Sequence, residues 1–150
     1  MQRSITNKKP VENILYVVLY AIYVSLSSIY LFLPPLFGVL FVLFAKALKD
    51  KDTISLLFIS FCLVLFEADK SYMIFSSIIY FTFIHKFVMP KITQNFSCIS
   101  CIKVSYILLA YIGFYLFSIL LSNIFLIPMP SINYYIVFYI VIEFFLVSLL

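Results

Sequence analysis

Residues 34–86 read PPLFGVLFVLFAKALKDKDTISLLFISFCLVLFEADKSYMIFSSIIYFTFIHK. An apolar run opens on Pro34-Pro35 and ends in a charged knot of Lys46, Lys49, Asp50, Lys51 and Asp52. A second run, ISLLFISFCLVLF, ends in the acidic corner EADK, which holds Glu67 and Asp69. A third, SYMIFSSIIYFTFI, ends at His85-Lys86. Each run is long enough to be a helix, and each interruption is charged. Helices that cross a bilayer and turn at its two water faces have this rhythm.

Composition points the same way. The chain has 150 residues, 65% hydrophobic and 11% charged, where a soluble domain carries about 25% charged residues. A water-facing surface cannot be built from that supply. The net charge of +4 forms no continuous basic patch, so nucleic acid is not an implied partner. The basic amino terminus precedes about twenty apolar residues, longer than the 7–15-residue core of a cleavable signal. It reads as a retained first span.

Working outward, six spans are predicted, at 14–33, 35–48, 54–69, 71–88, 104–126 and 132–150, in one all-α transmembrane domain. The second and third are short for a core of ~30 Å. Snorkelling Lys46 and Lys49, and Pro35 in a first helical turn, extend them. A re-entrant hairpin made of these two would sink three lysines into hydrocarbon at about 2.5–3.5 kcal/mol each. Six crossings are the cheaper solution.

The basic residues orient the chain. With the amino terminus inside, Arg3, Lys8, Lys9, Lys46, Lys49, Lys51, Lys86, Lys91 and Lys103 all lie on the inner side. Only Lys70 lies outside. By the positive-inside rule both termini of this multi-pass chain are cytoplasmic. The outer connections are Pro34-Pro35, EADK and residues 127–133. The longest loop, 89–103, is inner and polar. No segment is large enough for a soluble domain.

Polar stripes run along the spans. Span one carries Tyr16, Tyr20, Tyr23, Ser27 and Tyr30 at spacings of three and four. Span four carries Tyr72, Ser76 and Tyr80, and span five Tyr111, Tyr115, Ser118 and Ser122. Span six carries Ser131, Tyr135, Tyr139 and Glu143. Each stripe lies on one helix face. Near span ends, as at Tyr16, Tyr30, Tyr72 and Tyr106, tyrosine suits the interfacial belt. Deeper in, Tyr20, Tyr23, Tyr115 and Tyr139 suit contacts with other helices, within the chain or on a partner.

Glu143 is the most unusual residue. A carboxyl so deep in a span is a functional hypothesis by default. It would bond to Tyr139, to another helix or to a polar group on a partner. The alternative is that span six ends early and Glu143 nears the inner face.

Catalytic and metal chemistry find little footing. Cys98 and Cys101 form a C-x-x-C, but a structural zinc site needs four ligands, and no second pair or nearby histidine follows. Cys62 lies in an apolar span. His85 beside Lys86 suits the carboxyl end of a helix. There is no phosphate-binding glycine loop, H-E-x-x-H or G-x-S-x-G. No enzyme, cofactor or metal is predicted. Two glycines, Gly38 and Gly113, rule out a GxxxG-driven interface.

The order of features resembles the rod shape-determining protein MreD family. It has a short basic amino terminus, a proline opening a short second span (LPPLFGVLFVLFAKAL), a charged inner turn, and a third span with an acidic corner. A SIIYF-type fourth span, a basic inner loop and two long spans follow. The likeness covers nearly the whole chain. It departs in span three, where ISFCLVLFEADKSY lacks the family's glycine-bearing element and carries Glu67 and Asp69 later. The resemblance implies a divergent, non-enzymatic scaffold of the bacterial cell-elongation and peptidoglycan-synthesis machinery. Its partners would be an MreC-like bitopic protein and a synthase pair of RodA and a class B penicillin-binding protein. The alternative is a small-solute-binding membrane subunit of a transporter, with the stripes and Glu143 lining a midplane pocket.

Overall fold

The computed structural model describes residues 8–129 and 133–149. Arg3 and Ser131 lie outside the described residues, as does the middle of the 127–133 connection. The described residues are all-helical, without a strand. Six helical segments follow one another. They are α1 (Lys8–Ile29), α2 (Phe37–Asp50), α3 (Thr53–Lys70), α4 (residues 76–95), α5 (Ile99–Phe125) and α6 (Ile136–Leu149). Two stretches are long and apolar enough to cross a membrane by themselves: Val11–Ile29, with 19 residues, and Ile99–Phe125, with 27.

Several boundaries differ from those read off the sequence. α1 stops at Ile29, not at residue 33, and Pro35 stands outside α2 instead of in its first turn. Two consecutive prolines keep the residue before each out of the helical region, so residues 30–36 are irregular. The predicted inner loop 89–103 is mostly helix. Met89–Asn95 completes α4 and α5 begins at Ile99, which leaves 96–98 as the connection. Polar side chains in MPKITQN hid the end of α4, where Pro90 lies inside the continuous helix and removes one backbone donor. His85 and Lys86 therefore stand inside α4, in a π turn over Ile84–Val88.

Helix ends are cut without glycine. Leu36, Lys51, Ser71, Phe75 and Leu126 take the left-handed conformation, with φ between 54° and 70°, each at a helix boundary. The cost of about 1–2 kcal/mol per side chain there is offset at Lys51 and Ser71 by bonds to the preceding helix. Lys51 N–H reaches the Ala47 and Leu48 carbonyls. Asp52 caps α3, accepting from Ser55 Oγ at 2.9 Å.

α2 is short and central. Phe37, Phe41 and Phe44 are buried almost completely. The Phe37 ring lies 4.7 Å from Phe66 of α3, 4.9 Å from Phe81 of α4 and 4.8 Å from Phe114 of α5. Such aromatic clusters supply large buried area together with ring–ring attraction, here in stacked and tilted geometries. α6 closes the remaining side of α2, and α1 packs principally on α3. The outward faces are apolar. Val137, Val141, Phe145 and Leu149 form one exposed row on α6, and Ile112, Leu116, Leu120 and Ile124 another on α5.

Candidate functional site

The irregular segment between α1 and α2 creates a local imbalance. Its prolines offer carbonyls but no N–H groups, and Pro34 and Pro35 are buried. Buried carbonyls need donors, and the α1 stripe supplies them. Tyr20 Oη donates to the Pro35 carbonyl at 3.3 Å, Tyr23 Oη to Pro34 at 2.7 Å and Ser27 Oγ to Leu33 at 3.1 Å. From α6, the Tyr139 hydroxyl donates to the Leu31 carbonyl. Tyr135 stacks on Tyr139 and meets Phe32 edge-on at 5.7 Å.

A few residues later the imbalance reverses, because the first turn of α2 has N–H groups without partners. Glu143, with no exposed surface, fills that need. Its Oε2 accepts from Gly38 N at 2.7 Å and Val39 N at 3.2 Å, and the Tyr111 hydroxyl of α5 donates to Oε1. A carboxylate at a helix amino terminus also meets the positive end of the helix dipole. Gly38 makes the approach possible. A Cβ there would lie 2.6 Å from Oε2.

Glu67 does the same for α4. It was expected in an outer corner; it is instead inside α3 and fully buried. It accepts from Phe75 N at 2.6 Å, Ser77 N at 2.5 Å, Ser76 Oγ at 3.0 Å and Ser77 Oγ at 2.7 Å. Its neighbour Asp69 accepts from Ser28 Oγ at 2.6 Å, tying the end of α1 to α3, and pairs with Lys70 at 3.5 Å.

The second glycine has a similar use. α5 carries a π turn over Leu109–Gly113, which loosens the backbone ladder there. The Tyr80 hydroxyl of α4 donates to the Leu109 carbonyl at 2.7 Å. A Cβ on Gly113 would collide with that hydroxyl. Each glycine of this chain therefore admits one polar side chain from another helix.

Of the residues singled out from sequence, Glu143, Tyr139, Tyr135, Tyr20 and Tyr23 converge on residues 31–39. Tyr115 and Ser118 do not join them. Tyr115 is half-buried, and Ser118 Oγ donates to Phe114 of its own helix at 2.8 Å. Glu143 does not bond Tyr139; each serves a different part of the segment. From sequence, Tyr80 is named only as part of a stripe and Gly38 only as one of two glycines, and Ser77 is not reached. The Pro34-Pro35 pair, and an isolated glycine just inside a helix start, were the available signals for Gly38.

Elsewhere, His85 Nδ1 is buried without a hydrogen-bond partner among the described residues. Cys98 and Cys101 are exposed free thiols at the start of α5. A hydrogen bond from Cys101 holds the Cys98 thiol below its ordinary range. Among the described residues, no three metal-ligating side chains come together. No protein-family model, curated protein or solved structure matches the chain.

Proposed function

We propose that the chain is a six-span, non-enzymatic adaptor of a bacterial inner membrane, with both termini cytoplasmic, which holds partner proteins through its helices. One observation carries this reading: the buried carboxylates and the deep hydroxyls of Tyr20, Tyr23 and Tyr139 are already bonded to the chain's own backbone. They are committed to holding helix starts and an irregular turn, and so stand apart from chemistry on a substrate. What the protein presents outward is apolar rows on α1, α5 and α6, a surface suited to lipid and to other membrane helices.

Irregular backbone at membrane depth is tolerated only where protein or water satisfies it, and the carbonyls of residues 31, 33, 34, 35 and 36 meet that condition. α2, at 14 residues, rises about 21 Å. With its charged carboxyl end at the inner face, its amino terminus stops inside a ~30 Å core. Glu143 and the hydroxyl cluster complete the crossing. The alternative, a solute-binding transporter subunit, is weakened at Glu143, which is sealed against α2 and lines neither of two cavities, although stripe residues do: Tyr16 and Tyr20 in one, Tyr72, Ser76, Ser118 and Ser122 in the other.

The resemblance to the MreD family suggests which machinery is served: cell elongation, with an MreC-like bitopic protein and a RodA/class B penicillin-binding protein pair as partners. The test is co-purification in mild detergent together with depletion in the source cell. Co-isolation of a bitopic partner and loss of rod shape are expected. Normal shape after complete depletion would remove the elongation role. Labelling of single cysteines placed at positions 50, 69 and 129 tests the crossings, with position 50 reactive from inside and the other two from outside.

A further inference from the structure

Because α1 packs principally on α3, a gap runs along α2. It is a cavity of about 620 Å³, within the range of ~300–1,000 Å³ that holds small ligands. Its lining is segregated by height. At the α2–α3 turn it is polar, with Asn13, Lys46, Asp50, Asp52 and Ser55. Above that the walls are Leu43, Phe58 and Ile59, and it ends at Leu36 and Val39, beneath the hydroxyl cluster. Leu36 to Asp50 is about 21 Å of helix, somewhat more than half of a ~30 Å hydrocarbon core. A slot with one charged end and an apolar length fits an amphiphile lying parallel to the helices.

The charged end has both signs available. Asp52 is engaged as the cap of α3. Lys46 and Asp50 are exposed, and among the described residues the ion pair formed is Lys70–Asp69, not these two. An anionic group beside Lys46 and a cationic group beside Asp50 would both be matched. An unfilled apolar slot forfeits dispersion contacts along its walls, and acyl chains are the material at hand in a bilayer.

We propose that this groove holds one phospholipid of the inner leaflet with an ethanolamine-type headgroup, phosphate toward Lys46, ammonium toward Asp50 and an acyl chain along Leu43 and Val39. The proposal rests on the six-span reading, which places the α2–α3 turn at the inner face. The lipid packs where α1 and α2 would otherwise have to meet, so it acts as a replaceable part of the helix bundle.

The test is native mass spectrometry of the delipidated full chain in mild detergent. It is titrated with phosphatidylethanolamine, phosphatidylglycerol and soluble glycerophosphoethanolamine. One phosphatidylethanolamine should bind, about threefold tighter than phosphatidylglycerol, a preference the size of one exposed ion pair. Leu43→Trp, which fills the slot, should remove the adduct, while Leu120→Trp on the outer row of α5 should keep it. Asp50→Lys should shift the preference toward phosphatidylglycerol, and this exposed substitution decides the matter if Leu43→Trp fails to fold. An adduct that survives Leu43→Trp in folded protein, or a preference unmoved by Asp50→Lys, would overturn the proposal. Equal binding of the soluble headgroup would also overturn it, in favour of a free phosphate ester. A chain that shows the six-span labelling but takes up no lipid sinks this inference alone. A chain that labels otherwise sinks the topology beneath it.

Discussion

Glu143 and Glu67 solve the same problem in two ways. Both are fully buried, and both accept two backbone N–H groups at the start of a helix that follows a left-handed residue, Leu36 in one case and Phe75 in the other. Glu67 reaches a helix eight to ten residues further along the chain, across one tight turn, and two serine hydroxyls share the work. Glu143 reaches back 105 residues to Gly38, with help from Tyr111 of a third helix. The first is a local device that holds a hairpin together. The second joins α2, α5 and α6, so the arrangement of the whole bundle depends on it.

That contrast predicts unequal costs. Glu143→Ala leaves Gly38 N, Val39 N and the Tyr111 hydroxyl without their acceptor where no water reaches. Orphaned buried donors cost about 1–3 kcal/mol each, so the loss should be about 3 kcal/mol or more. The readout is the fraction that remains monodisperse after heating in detergent, and this variant should show the largest drop. A variant as stable as the native chain would mean that the α2 start is satisfied in some other way. Glu143→Gln keeps the shape and one acceptor oxygen, and should recover part of the loss.

Gly38→Ala attacks the same contact from the other side. The added Cβ meets Oε2 at 2.6 Å, so the carboxyl must move away from the N–H groups it serves. A cost of about 1–3 kcal/mol is expected for such crowding. The double variant separates this from a general intolerance of α2. With Glu143 already replaced by alanine there is nothing to collide with, and Gly38→Ala should then cost close to nothing. Simple addition of the two losses would break the assigned coupling.

Glu67→Ala comes next, at about 0.5–2 kcal/mol, the usual worth of a helix cap. Ser76 and Ser77 are buried, but their hydroxyls can rotate to other acceptors once the carboxylate is gone, and of the two N–H groups left behind one belongs to the exposed residue Phe75. A loss equal to that of Glu143→Ala would erase the distinction between local and long-range capping. The same distinction separates what could be read from sequence from what could not. The all-helical class is legible in the length of the apolar runs and in the charged residues that interrupt them, because both are properties of short, continuous stretches of sequence. The 3-4 spacing of Tyr20, Tyr23 and Ser27 likewise announced one face. What that face touches was hidden, because its acceptors are main-chain carbonyls, and these leave no mark on side-chain spacing. Glu67 was placed in a corner because EADK looks like a solvated turn; its burial arises only when α4 folds back. The helix over 89–95 was hidden for the opposite reason, a polar sequence in a helical place.

The smallest effect tests the hydroxyl cluster residue by residue. Tyr23 and Tyr115 are both tyrosines set deep in long apolar helices, and sequence alone treats them alike. Tyr23 Oη donates at 2.7 Å to the carbonyl of Pro34, in a buried stretch where prolines remove the N–H groups that might otherwise compensate. Tyr115 takes no part in that cluster. On the proposed membrane reading, removing one such interhelical bond costs about 0.6 kcal/mol on average and at most about 1.7 kcal/mol. Tyr23→Phe should fall in the upper part of that range, because its acceptor is left unsatisfied, and Tyr115→Phe should be neutral. Ring packing is unchanged in both, so the difference between the two variants isolates the hydroxyl. Equal behaviour of the pair would mean that the irregular turn is held by apolar packing alone.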